Sequence, residues 1–153
     1  MRCDAKMNTV CVFCEIVGES THESTGESTV VFADDVAVAF LDRSPLFPGH
    51  TLVVPRRHVV TLTDLSVAEV GPFFERVHRV AAAVPFALGA QGTFVANNNT
   101  VSQSVAHLHV HVVPRTKGDG LRGYFWPRQK YSVGEASAVA TKIRVAIEVL
   151  HPG

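Results

Sequence analysis

Short apolar blocks separated by turn-forming residues fill the first third of the chain, and apolar residues at helical spacing follow them. Thr29-Val30-Val31-Phe32-Ala33 reads as a strand, because β-branched and aromatic side chains suit a pleated surface. Asp34-Asp35 reads as a turn and Val36 to Leu41 as a second strand, so the two are expected to form a hairpin. Pro45 and Pro48-Gly49 break the chain. Thr51-Leu52-Val53-Val54 is a third short strand, stopped by Pro55. Ser66 followed by Glu69 has the spacing of a capping box, and Val67, Val70, Phe74, Val77, Ala81 and Val84 recur as on one helix face. Pro72 lies inside that run, so a kink or a later start at Gly71 is expected. Thr93 to Asn97 and Val105 to Val113 read as two more strands. Ala136 to Leu150 reads as a closing helix, with Val139, Ile143, Ile147 and Leu150 on one side. Met1 to Val10 reads as a flexible tail, Val12 to Val17 as an apolar piece of undecided type, Gly18 to Ser28 as a surface loop, and Lys117 to Tyr131 as irregular.

The order is strands, helix, strands, helix, with short links between most strands. It predicts an α+β domain over residues 11–150, an antiparallel sheet of about five strands with two main helices packed against it. The 153 residues suit one core. Lysine plus arginine equals aspartate plus glutamate, 14 each, so no bulk field draws the chain to nucleic acid or to acidic membranes. No apolar run approaches the roughly 20 residues that span a bilayer, and the tail lacks the apolar centre of a signal peptide. A cytoplasmic protein is expected. Three cysteines, two of them in Cys11-Val12-Phe13-Cys14, fit metal binding or reduced thiols better than a secreted disulfide scaffold.

The chemistry concentrates in His107-Leu108-His109-Val110-His111-Val112-Val113. Successive strand side chains point to opposite faces, so the three imidazoles share one face, with neighbouring Cα atoms roughly 6.5–7 Å apart. Leu108, Val110 and Val112 then point into a core. Valine or threonine suits a strand better than histidine, so three histidines in alternation point to metal binding or phosphoryl chemistry. The preceding stretch from Asn97 to Ser104 is polar, holds no carboxylate, and can turn N–H groups and hydroxyls towards an anion.

Gln103-Ser104-Val105-Ala106-His107-Leu108-His109-Val110-His111-Val112-Val113 resembles the signature of the histidine triad superfamily. Phe40 to Pro45 resembles its ribose-binding stretch, Phe47 to His58 its strand carrying a fourth active-site histidine, and Cys11 to Ile16 its N-terminal start. The resemblance implies a hydrolase or transferase acting on the α-phosphate of purine nucleotide conjugates, such as phosphoramidates or dinucleoside polyphosphates. His109 is then the nucleophile, His111 lies beside the phosphate oxygens, and His50 supports the site. Ser104 donates to the phosphate or the leaving group, and Gln103 contacts phosphate oxygens. Asp42 accepts from the ribose hydroxyls, and Phe13, Ile16, Phe40 and Leu41 line the base pocket. Asn97 and Ser102 belong to the phosphate loop, and Trp126 to a segment that reaches the active site of a second subunit in a two-fold dimer.

By the same resemblance, Cys11, Cys14, His58 and His107 form a structural zinc site, which would draw His107 away from the phosphate. No organic cofactor, membrane or nucleic-acid partner is expected. One departure stands out: Ser102 replaces a glycine usual before the Gln. Three other readings stay open: a nucleotide-binding regulatory module with little turnover, a phosphorylase, and a metal hydrolase with the three histidines as ligands.

Overall fold

In the computed structural model of the protein, residues 10–20, 28–121 and 128–152 are described. Among them, β1 (Val30–Ala33), β2 (Ala37–Leu41), β3 (Thr51–Pro55), β4 (Gly92–Asn97) and β5 (Val110–Arg115) form one antiparallel sheet in the order β1-β2-β3-β5-β4. The expected hairpin is β1 with β2. Asp34 closes it by accepting from the N–H groups of Val36 and Ala37 at 2.9 Å each, while Arg76 pairs with its other oxygen at 2.8 Å. Burial alone would raise the Asp34 pKa, but these hydrogen bonds outweigh it and hold it below its ordinary value.

Three helices accompany the sheet: α1 (Val12–Glu19), α2 (Val67–Leu88) and α3 (Glu135–Leu150). The undecided piece near the N-terminus is thus helical. The capping box at Ser66 and Glu69 is formed, and α2 starts at Val67 rather than at Gly71, with Pro72 and Pro85 both inside it. Two orphan N–H groups satisfied by the box outweigh the single ladder bond that Pro72 forfeits. Gly89, in the left-handed conformation at φ 66°, ends the helix.

The sheet has two different faces. On one, Ala37, Ala39, Leu41, Val53, Val110 and Val112 pack with α2 and α3 residues such as Phe73, Val77, Val80, Ala140 and Ile143. On the other, Val30, Val38, Phe40, Leu52 and Val54 form a smaller buried cluster with Phe13 and Val17 of α1, flanked by Ile16 and Val105. One transverse row on this second face runs Val30, Phe40, Leu52, His111, Ala96 across all five strands. Since α1 covers only part of it, the second face has room for a ligand.

Arg56, just after β3, fastens α1 to the sheet. Its guanidinium donates to the carbonyls of Val17 at 3.2 Å and Ser20 at 3.0 Å, and also to that of Asp34. A helix end has carbonyls without intrahelical partners, and a cation suits that pole. No helix among the described residues is long and apolar enough to cross a membrane.

Candidate active site

The strand carrying the histidines is shorter at its start than its pattern predicts. Ladder pairing begins at Val110, opposite Val53 and Asn97, so His107 and His109 precede β5 and only His111 lies in it. The reason is local. Pro55 has no N–H to offer, its carbonyl is taken by His107 Nε2 at 3.0 Å, and Leu108 N–H turns to the carbonyl of Val59 at 2.7 Å. Alternation nevertheless persists. Leu108, Val110 and Val112 enter the helix-side core. His107 and His109 lie edge-on to the Phe13 ring, at centroid distances of 6.1 and 5.2 Å, and His111 lies 5.0 Å from His109.

Hydrogen bonds assign the ring protons. His109 Nδ1 lies 2.7 Å from the carbonyl of His107, which can only accept, so Nδ1 carries the proton and Nε2 keeps its lone pair. Leu46 N–H donates to His50 Nδ1 at 3.1 Å, so His50 carries its proton on Nε2. That proton points to His111 Nδ1 at 2.8 Å, which leaves the His111 proton on Nε2. Burial disfavours the imidazolium at both sites and pushes His50 down to about 4 and His111 to about 3, helped at His111 by the neighbouring His50. Both rings are therefore neutral at pH 7.

A cavity of about 800 Å³ opens over this face. Phe13, Ile16, Phe40, Leu41, Asp42, Ser104, His109 and His111, all expected at the site, line it. Phe13 stacks edge-on with Phe40 at 5.3 Å, so the apolar end has flat walls. His50 is buried behind His111 rather than in the lining, and its Nε2 lies 3.8 Å from Asp42 Oδ2. Ser104 is exposed at the mouth.

Three expected contacts fall elsewhere. Asn97 donates from Nδ2 to the carbonyl of His109 at 2.9 Å, so it braces the backbone of the nucleophile candidate. Gln103 accepts from Thr100 N–H at 2.8 Å and donates to the carbonyl of Val60 at 2.6 Å. Both ends of its amide thus hold the loop rather than meeting an anion in the cavity. Asn99 accepts from Leu62 N–H at 2.7 Å. Ser102, also outside the lining, has φ 60°, and Thr100 has φ 68°. The departure from glycine thus falls in left-handed backbone that L side chains rarely adopt. Trp126 lies outside the described residues.

Several lining residues gave no signal in the sequence pattern. Tyr131 accepts from Gly49 N–H at 3.1 Å. Arg43 and Arg128 flank Asp42, and Arg128 donates to Asp42 Oδ2 at 3.0 Å and to the carbonyl of Ser44 at 2.7 Å. The Phe40–Pro45 stretch, which contains Arg43, and the basic and aromatic residues of 114–131 were the available hints.

Beside the cavity, Cys11, Cys14, His58 and His107 bring four ligand atoms within 4.8 Å of one another. His107 Nδ1 lies 3.6 Å from each sulfur, and His58 Nδ1 lies 3.2 Å from Cys14 Sγ. A tetrahedral zinc with the usual bond lengths has nitrogen-to-sulfur edges of about 3.6 Å. His107 Nε2–H is held by Pro55, which directs its Nδ1 lone pair at the sulfurs. The donor set fits zinc in kind and spacing. Cys11 carries no disulfide. The triad histidines thus divide between two clusters, which does not suit one metal bound by all three.

A profile described as "HIT domain" matches residues 23–118. An uncharacterized HIT-like protein of Saccharolobus solfataricus is 36% identical over 126 residues, 80% of this chain and 87% of its own. The asymmetrical bis(5'-nucleosyl)-tetraphosphatase of Schizosaccharomyces pombe is 34% identical over 94 residues, 60% of this chain and 52% of that protein. An adenylylsulfatase of Arabidopsis thaliana is 31% identical over 115 residues, 72% of this chain and 55% of that one. Among solved structures, a zinc-bound histidine triad family protein of Mycobacterium smegmatis superposes with TM-score 0.74 at 33% identity, covering 92% of this chain and 94% of that chain.

Proposed function

The chain belongs to the HIT domain family, and from that premise we propose that it cleaves purine nucleotide conjugates at the α-phosphorus with His109 as nucleophile. The observation that carries this reading is the bond from His109 Nδ1 to the carbonyl of His107, which reserves the Nε2 lone pair for the cavity His109 lines. A neutral imidazole with its far nitrogen anchored is a prepared nucleophile.

In the first step His109 Nε2 bonds to the α-phosphorus as the bond from phosphorus to the leaving group breaks, and the electron pair departs with that group. The Ser104 hydroxyl at the mouth would donate to the departing atom. His111, its proton on Nε2, donates to a phosphoryl oxygen, and His50 holds that ring in place. Water then attacks phosphorus, the phosphorus–nitrogen bond breaks, and a nucleoside monophosphate leaves with His109 restored. Two relatives are named for cleaving a dinucleoside tetraphosphate and an adenylyl sulfate; their leaving groups differ, which supports a choice set by the nucleotide half. Asp42 would take a free ribose hydroxyl and the Phe13–Phe40 end the base.

Cys11, Cys14, His58 and His107 would hold zinc, which supplies a closed structural crosslink between α1, the segment after β3 and the approach to β5. A two-fold dimer built through an edge strand, with β4 the exposed edge next to β5, is part of the same reading and is checked by light scattering.

The deciding experiment mixes excess protein with adenosine 5'-phosphoramidate and quenches in alkali. Wild type should release AMP and yield a peptide containing His109 that is heavier by one adenylyl group. His109→Ala should give neither. Nucleotide binding with no adduct and no AMP would replace this reading with that of a regulatory module. Product formed by His109→Ala at the wild-type rate would remove His109 from the reaction.

A further inference from the structure

The full positive charges of the cavity sit at its sugar end, not at the end where an α-phosphate would react. His109 and His111 supply imidazoles there, and His111 is held neutral by burial. At the other end Arg43 and Arg128 flank Asp42, the one carboxylate that lines the cavity among the described residues. Asp42 is already engaged on both oxygens: Oδ1 accepts from Ser44 N–H at 2.8 Å and Oδ2 from Arg128 Nη1 at 3.0 Å. Its charge is cancelled by Arg128, so Arg43 leaves this end one positive charge in excess. Arg43 is exposed and has no hydrogen-bond or ion-pair partner among the described residues. Arg128 uses Nη1 for both of its bonds, to Asp42 and to the carbonyl of Ser44. Its Nε and Nη2 donors have no partner among the described residues and stay available.

A carboxylate that reads an unmodified ribose diol works best bare, whereas an arginine beside that carboxylate accommodates a phosphate on the sugar. Guanidinium groups with uncommitted parallel donors match a phosphate better than they match hydroxyls. We propose that the Arg43–Arg128 end binds a phosphate carried on the ribose 2' or 3' oxygen, so that the preferred ligands are purine nucleotides with a second phosphate on the sugar. This rests on the nucleotide reading above and adds the substrate class to it.

The test titrates the full chain with AMP, adenosine 2',5'-bisphosphate and adenosine 3',5'-bisphosphate by calorimetry at low and high salt. One of the bisphosphates should bind about tenfold more tightly than AMP, and the advantage should shrink as salt screens it. Arg43→Ala and Arg128→Ala should each bring the ratio of the two affinities towards one. Arg43 is exposed and has no partner among the described residues, so its variant keeps the test valid if the Arg128 variant folds poorly. AMP binding as tightly as both bisphosphates overturns the proposal. So does an equal loss of AMP and bisphosphate affinity in the variants, since the arginines would then serve the α-phosphate. If AMP itself fails to bind, the nucleotide reading falls first, and that outcome is distinct from the other two.

Discussion

At the scale of single residues, the loop from Asn97 to Ser104 carries backbone strain. A non-glycine residue in left-handed backbone costs roughly 1–2 kcal/mol, and Thr100 and Ser102 are both there. Glycine would remove that cost but loses more freedom on folding, roughly 0.4–1 kcal/mol. Ser102→Gly should therefore stabilise the protein by about 0.5–1 kcal/mol, read as a shift in the urea midpoint at constant slope; a fall in the midpoint would mean that the hydroxyl makes a compensating contact. Three histidines at alternate positions were legible because the polar-apolar period needs no tertiary information. The roles of Gln103 and Asn99 were not, because their partners, Val60 and Leu62, lie about forty residues earlier and are brought close only by the fold. Arg128 escaped for the same reason: its partner Asp42 lies 86 positions away.

At the scale of elements, α1 is the piece whose position decides most. It supplies Phe13 to the cavity and Cys14 to the Cys/His cluster, and Cys11 immediately precedes its first turn. Its type could not be read from six apolar-rich residues, since such a run serves strand or helix equally. What settles it is Arg56, which takes the carbonyls at its end. Arg56→Lys keeps the charge but cannot reach three carbonyls at once. It should weaken zinc retention and nucleotide binding together while α2 and the sheet persist, as tracked by metal analysis and far-ultraviolet circular dichroism. Full metal content in that variant would show that the cysteines hold α1 unaided. The zinc reading itself predicts one zinc per reduced chain, lost in Cys11→Ser and kept in His109→Ala, by atomic absorption. The turn before β3 admits no such latitude. Gly49 has φ 97°, and a Cβ there would meet Leu88 Cδ1 at 2.1 Å, so Gly49→Ala should cost several kcal/mol in chemical denaturation.

At the scale of the whole molecule, the buried imidazoles make stability depend on pH. His50 titrates at about 4 and His111 at about 3 in the folded chain, against about 6.5 when unfolded. Between those values the unfolded chain binds more protons, so stability rises with pH through that window. Their contribution is complete above about 6.5 and is lost as pH falls towards 3. The urea midpoint should therefore drop steadily from pH 7 to pH 4, and less steeply in His111→Asn; an identical slope in that variant would mean that other groups drive the loss. The antiparallel sheet and its two long helices were legible because the strands are short and most begin or end at proline, glycine or aspartate. The start of β5 was not, because ladder pairing ends where Pro55 withholds a donor, which is a property of the neighbouring strand.

The approach to β5 sends odd-numbered side chains towards chemistry and even-numbered ones towards oil. A single codon inserted or removed between Ala106 and Val110 would exchange those destinations, thrusting imidazoles among the α2 and α3 methyl groups and turning Leu108 outward. Length changes in this protein should therefore be excluded from this stretch, which can evolve only by substitution.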